Sequence, residues 1–161
     1  MSYGQLLQII PRLGRVWTLT LEFKLLEEPA GYASILQFRK HDNTDFVIKV
    51  ALLGTGNSEE FFRIGVKPPQ AENSIKLGVK RNQIKTGLLN QWHNLQVIST
   101  LVARPNTYYL YVLFNEALVD MKTTYEPMTI ANALLYHREK RGSQPKIILR
   151  DLTFNQTEGK V

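Results

Sequence analysis

The chain has no cysteine. That absence alone excludes disulfides, Cys-based zinc sites and a catalytic thiol. No apolar run reaches the roughly 18 residues that a membrane-crossing helix needs, so no membrane span is expected. The start, MSYGQLLQIIPRLGR, lacks a basic segment followed by a long apolar stretch. Either the chain is not secreted or it is a mature domain cut from a longer protein. Histidine is scarce, with three in all, and their spacing is not that of metal ligands. No G-x-S-x-G occurs, so a serine nucleophile is not signalled. Convincing amphipathic helices of normal length, internal repeats and low-complexity tracts are also missing.

What is there is alternation. The chain is 161 residues long, 43% hydrophobic and 10% aromatic, which suits one domain, 1–161, with a real core. Trp17, Leu19, Leu21, Phe23 and Leu25 fall on one face of a run, and Thr18, Thr20, Glu22 and Lys24 on the other. That is a half-buried antiparallel strand. Similar runs start at Tyr32, Asp45, Phe61, Ile75, Trp92, Thr107, Ala117 and Lys146, separated by turns such as Glu28-Pro29-Ala30-Gly31 and Gly54-Thr55-Gly56-Asn57. Phe46, Ile48, Val50 and Leu52 are expected on one side of their strand. Ile130–Tyr136 is ambiguous between strand and helix. About eleven short strands predict an all-β, two-sheet antiparallel jelly-roll sandwich. The run Gln5–Ile10 is expected to pair with the C-terminal run.

Several segments in order carry a family resemblance. They are Trp17-Thr-Leu-Thr-Leu-Glu-Phe23, Ile35-Leu-Gln-Phe38, Asp45-Phe46, Trp92-His93, Tyr109-Leu-Tyr-Val-Leu-Phe-Asn115 and Ile147-Ile-Leu-Arg-Asp-Leu-Thr-Phe154. Together they resemble a laminin G-like domain of the concanavalin A-like lectin superfamily, to which pentraxin and thrombospondin N-terminal domains are related. The resemblance spans roughly residues 15 to 155 and implies recognition of glycans or extracellular proteins, with calcium often held at a loop rim. The C-terminal disulfide common in laminin G-like domains has no counterpart here. Glycosidases of the superfamily commonly carry an E-x-D-x-x-E strand, and none is found. Glu27-Glu28 and Glu59-Glu60 are adjacent pairs whose members point to opposite faces of a strand.

Four sets of residues are candidates for chemistry. Asp42 and Asp45, with Asn43, offer oxygen ligands in one loop, and the resemblance makes them a calcium site, with Asp120 as a distant partner. The plainer reading is that they cap a turn. Arg138, Lys140 and Arg141 sit in HREKRGSQPK, and Lys80 and Arg81 in a second basic stretch. Both stretches could grip sulfates or phosphates, or be solvated charge. Tyr109 and Tyr111 alternate with residues that are also apolar, so their face is either covered or presented outward. His93 is expected to be a core residue beside Trp92.

The net charge is +6, from 20 Lys and Arg against 14 Asp and Glu. It favours acidic partners, although no nucleic-acid module is present. The expectation is therefore an extracellular, non-enzymatic recognition domain that binds a carbohydrate, including acidic or sulfated glycans, or a protein. One alternative is a self-associating adhesion domain, a homo-oligomer joined through Tyr109–Leu113. The other is a divergent glycoside hydrolase or lyase.

Overall fold

Alternation of side-chain type becomes alternation of burial. In the strand Trp17–Glu27, every second residue from Trp17 to Leu25 is buried and those between are half-exposed. The computed structural model describes residues 5–42, 44–57, 59–68, 73–84, 87–102, 107–124, 130–137 and 146–156. These hold eleven strands: β1 Gln5–Leu13, β2 Trp17–Glu27, β3 Ala33–Arg39, β4 Phe46–Leu52, β5 Glu60–Val66, β6 Ile75–Lys80, β7 Trp92–Leu101, β8 Tyr108–Phe114, β9 Ala117–Thr124, β10 Ile130–His137 and β11 Lys146–Gln156. Among the described residues the one helical element is a 3-10 turn, Arg81–Gln83. No helix among the described residues is long and apolar enough to cross a membrane.

The strands form two antiparallel sheets, a six-stranded one in the order β1-β10-β3-β4-β5-β6 and a five-stranded one in the order β11-β2-β7-β8-β9. This is the expected all-β two-sheet sandwich. Its inner faces meet in a layer of aromatic rings. Phe23 of β2 packs edge-on against Phe62 of β5 at 4.9 Å, and Phe114 of β8 lies 6.1 Å from Phe23. Such contacts add about 0.5–1.5 kcal/mol each beyond the area they bury.

Three local expectations change. Gln5–Ile10 does not pair with the C-terminal run. β1 pairs with β10, the segment that was ambiguous, while β11 pairs with β2 in the other sheet. The two ends still meet, because Gln156 Nε2 donates to the Arg12 carbonyl at 2.8 Å across the rim of the sandwich. Phe46 leaves the face it was assigned. The β3–β4 register runs Phe38↔Ile48 and then Arg39↔Phe46, so Val47 is an extra residue, and this bulge swings Phe46 to the outer side. Finally, Trp92 does not join the core with His93. It is half-buried on the outer face of the five-stranded sheet, with the Arg150 guanidinium 3.6 Å from its ring centroid.

Candidate functional site

The outer face of the six-stranded sheet is closed at its centre and open towards β6. On β3 the outward side chains Ser34, Gln37 and Arg39 are all less than a tenth exposed. They form a chain of hydrogen bonds: Arg39 Nη1 donates to Gln37 Oε1 at 2.9 Å, and Gln37 Nε2 donates to Ser34 Oγ at 3.0 Å. Buried polar groups need such partners, so this chain is read as structural.

The open part begins at β4. The Lys49 ammonium lies 5.0 Å from the Tyr32 ring centroid and 5.4 Å from that of Phe46. Cations over aromatic faces are attracted at such distances. The β4 bulge makes the arrangement possible, and Gly65 of β5 completes it. A Cβ at Gly65 would stand 3.3 Å from the Phe46 ring, so the ring lies where a side chain would otherwise be. Cross-strand pairing then sets two rows over the face, Gln37–Lys49–Gly65–Lys76 and Ser34–Ala51–Arg63–Gly78. Neighbouring strands are about 4.8 Å apart, so Lys49 and Lys76 are anchored about 10 Å from each other.

At the β6 edge the face drops into a cleft of about 360 Å³ between β5, β6 and β9. Its charged lining is Glu60, Arg63, Lys76, Lys80, Asp120 and Lys122. The two acids are engaged. Glu60 Oε2 accepts from Arg63 Nη2 at 2.9 Å and from Nε at 3.2 Å. Asp120 accepts from two backbone N–H groups, Gly78 at 2.9 Å through Oδ2 and Met121 at 2.8 Å through Oδ1. Gln83 braces the wall: its Oε1 accepts from the Lys80 N–H at 2.8 Å and its Nε2 donates to the Val119 carbonyl at 3.0 Å.

The residues singled out from the sequence scatter. Lys80 lines the cleft. Arg81, its neighbour, turns inward. Its guanidinium pairs with Glu28, donates through Nε to the Asn57 carbonyl at 2.7 Å, and lies 5.8 Å from the Phe61 ring. Arg81 thus fastens the Gly54–Asn57 loop. Arg138, Lys140 and Arg141 lie outside the described residues. Tyr109 and Tyr111 are half-buried on the outer face of the five-stranded sheet, ring centroids 5.9 Å apart, away from the cleft. His93 is buried, as expected. Its Nε2 is 3.1 Å from the Leu88 carbonyl, and its Nδ1 is 3.1 Å from Asn115 Nδ2. This pattern assigns the imidazole proton to Nε2, which donates to the carbonyl, while Nδ1 accepts.

Asp42 and Asp45 lie in the loop before β4. Asp42 Oδ1 accepts from the Thr44 hydroxyl at 2.7 Å and from its N–H at 3.1 Å, and these bonds hold the carboxyl below its ordinary range. Asp45 accepts from the Phe46 N–H at 2.8 Å and pairs with Lys67. Partial burial works against its charge, but the Lys67 and Phe46 hydrogen bonds and the Lys67 charge outweigh it, so its pKa is also lowered. A calcium ion here would compete with the chain's own ammonium group. Among the described residues no three His, Cys, Asp or Glu side chains are grouped so as to hold a metal.

Sequence reasoning missed Tyr32, Phe46, Lys49, Arg63 and Lys122. Arg63 had a signal: in Phe62-Arg63-Ile64-Gly65-Val66 it is the charged residue at the outward position, on the same face as a glycine two residues on. Phe46 had none, because a bulge cannot be read from alternation.

No protein-family model and no curated protein matches the chain. Solved structures do match in fold. An endo-β-1,4-glucuronan lyase from the fungus Trichoderma reesei has a TM-score of 0.58 and 13% identity, covering 91% of this chain and 70% of its own. An alginate lyase in complex with an alginate trisaccharide has a TM-score of 0.63 and 9% identity, covering 93% and 73%. Sheep galectin-11 has a TM-score of 0.54 and 14% identity, covering 96% and 99%. The fold is therefore a jelly-roll sandwich. Nothing singles out the laminin G-like branch, or an adhesion or extracellular role. The comparisons also overturn the expectation of a non-catalytic recognition domain for a carbohydrate or an extracellular protein. The matched folds include several polysaccharide lyases beside a galectin.

Proposed function

We propose that this chain handles a polysaccharide, by binding or by processing it, on the open half of the six-stranded sheet. The observation that carries this reading is the group Tyr32–Lys49–Phe46 beside the cleft at β6. Tyr32 is 44% exposed and Phe46 is half-exposed, so ring surface is offered to solvent next to a fixed cation. A pyranose ring has an apolar C–H face and a polar rim. Aromatic rings take the first, and Lys and Arg side chains take oxygens of the second. The names of the fold neighbours point to the same class of partner. Cleavage would require a group poised to move a proton at the sugar ring. Glu60 and Asp120 are the carboxylates in the cleft, one held by Arg63 and the other by two N–H groups.

The test is a panel of neutral and acidic polysaccharides offered to the purified chain. Retention in affinity electrophoresis reads binding, and new reducing or unsaturated ends read processing. Tyr32→Ala and Phe46→Ala are expected to weaken retention about three- to tenfold each, from roughly 0.5–1.5 kcal/mol per aromatic contact. No retention and no new ends on any polymer would end the proposal.

A further inference from the structure

The cleft at the β6 edge carries more positive charge than its own acids neutralise. Four cations line it, Arg63, Lys76, Lys80 and Lys122, against two carboxylates, Glu60 and Asp120, which leaves a formal +2. The arrangement within that count matters more. Arg63 is the cation that Glu60 takes, with two N–H groups on Oε2, and Asp120 is turned onto backbone N–H groups. Lys76, Lys80 and Lys122 are exposed and form no ion pair among the described residues. Elsewhere on the surface Lys67, Lys146 and Arg150 each have a carboxylate partner.

We infer that the cleft takes the acidic groups of a polyanionic polysaccharide, carboxylates of uronic acids or sulfate esters. The inference rests on the polysaccharide reading and names the class of polymer. Three like charges brought to the walls of one concave site repel one another and raise the local anion concentration. A chain with an acidic group on successive residues relieves that repulsion at several points at once. The cleft volume of about 360 Å³ falls within the usual range for sites that enclose a small ligand or one segment of a longer one. Lys49, on the row that ends at Lys76, extends the positive track back over the open face. Glu60 adds selectivity. Its carboxylate fills the space over Gly78, where a Cβ would meet it at 3.2 Å, so an incoming anion is directed to the lysine side.

The experiment compares polygalacturonate, dextran sulfate, neutral dextran and single-stranded DNA as probes for the full chain, with two double variants of equal charge change. Lys76→Gln/Lys122→Gln empties the cleft of two cations. Lys24→Gln/Lys146→Gln removes two from the other sheet. All four side chains are on the surface, and matched melting temperatures check the fold. An acidic polymer should bind at least tenfold tighter than dextran. The cleft variant should lose at least tenfold, the control under twofold, and the wild-type affinity should fall steeply with salt. Which acidic polymer binds tighter tells a carboxylate site from a sulfate site. If dextran binds as well as the acidic polymers and the cleft variant changes nothing, the inference fails and the polysaccharide reading stands. If no polymer binds, both fail. If single-stranded DNA binds as tightly as the acidic polymers and is lost in the same variant, the cleft is a general polyanion site and the inference is overturned.

Discussion

At the scale of single residues, the positions that matter most are those where backbone and side chain leave one solution. Gly54 has φ of +77°, and a Cβ there would fall 2.6 Å from the carbonyl oxygens of Gly31 and Pro29. Both the dihedral and the space demand glycine. Gly54→Ala is expected to lower stability by roughly 1–3 kcal/mol, the usual cost of a strained backbone position, read as a drop in the denaturant midpoint. Asp45 gives a prediction in pH. Its folded-state pKa is lowered, so its pair with Lys67 stabilises the fold fully above the unfolded value, about 3.9, and that stability is lost as pH falls through the folded value. Asp45→Asn should therefore melt earlier than wild type at pH 7. The gap should narrow on acidification below about pH 4. A gap that is constant with pH would mean that the carboxylate charge is not what the loop uses.

At the scale of elements, alternation made most strands legible but said little about the site. β2 follows period two without a break, and its buried residues could be named from sequence; β7 and β8 alternate too, but the place of Trp92 and the choice between the two apolar faces of β8 could not be read from it. β4 could not be read this way, because one inserted residue, Val47, moves Phe46 from the core side to the outer side. Pairing between distant strands was equally hidden. β1 finds β10 rather than β11 because it lies in the six-stranded sheet, and nothing in Gln5–Leu13 states that. The cleft joins the consecutive strands β5 and β6 to β9, which is distant in sequence, so Lys80 was visible as a basic residue but not as the neighbour of Arg63 and Lys122. Arg81, chemically alike and adjacent, was drawn inward by Glu28 and the loop carbonyls. Gly65 tests the element-level account. Gly65→Ala puts a methyl 3.3 Å from the Phe46 ring, which must give way beside Lys49. The substitution sits in a strand, where alanine is not strained, so stability should move by less than about 1 kcal/mol. Polysaccharide retention should nevertheless fall severalfold. Unchanged retention would show that the Phe46 ring is not part of the binding surface.

At the scale of the molecule, the two sheets are coupled through one aromatic layer, and that coupling decides how the protein comes apart. Phe23 of the five-stranded sheet touches Phe61 and Phe62 of the six-stranded sheet, and His93 and Phe114 of its own. Phe23→Ala removes the centre of that layer and is expected to cost about 3–5 kcal/mol. Because the apolar core residues of each sheet lie on its inner face, each needs the other's side chains to cover that surface. The transition should therefore remain single and shift to lower denaturant, rather than split into two steps. The two tryptophans make this measurable. Trp17 is buried between the sheets, its ring centroid 5.8 Å from that of Phe154, whereas Trp92 lies on the outer face under Arg150. Fluorescence of the variants Trp17→Phe and Trp92→Phe, each keeping one reporter, should give the same midpoint as far-UV circular dichroism once each variant's own stability is taken as reference. If the Trp92 signal changes at lower denaturant than the dichroism of the same variant, the five-stranded sheet loosens first. The open face of the six-stranded sheet would then owe its order to its own strands, not to the shared core.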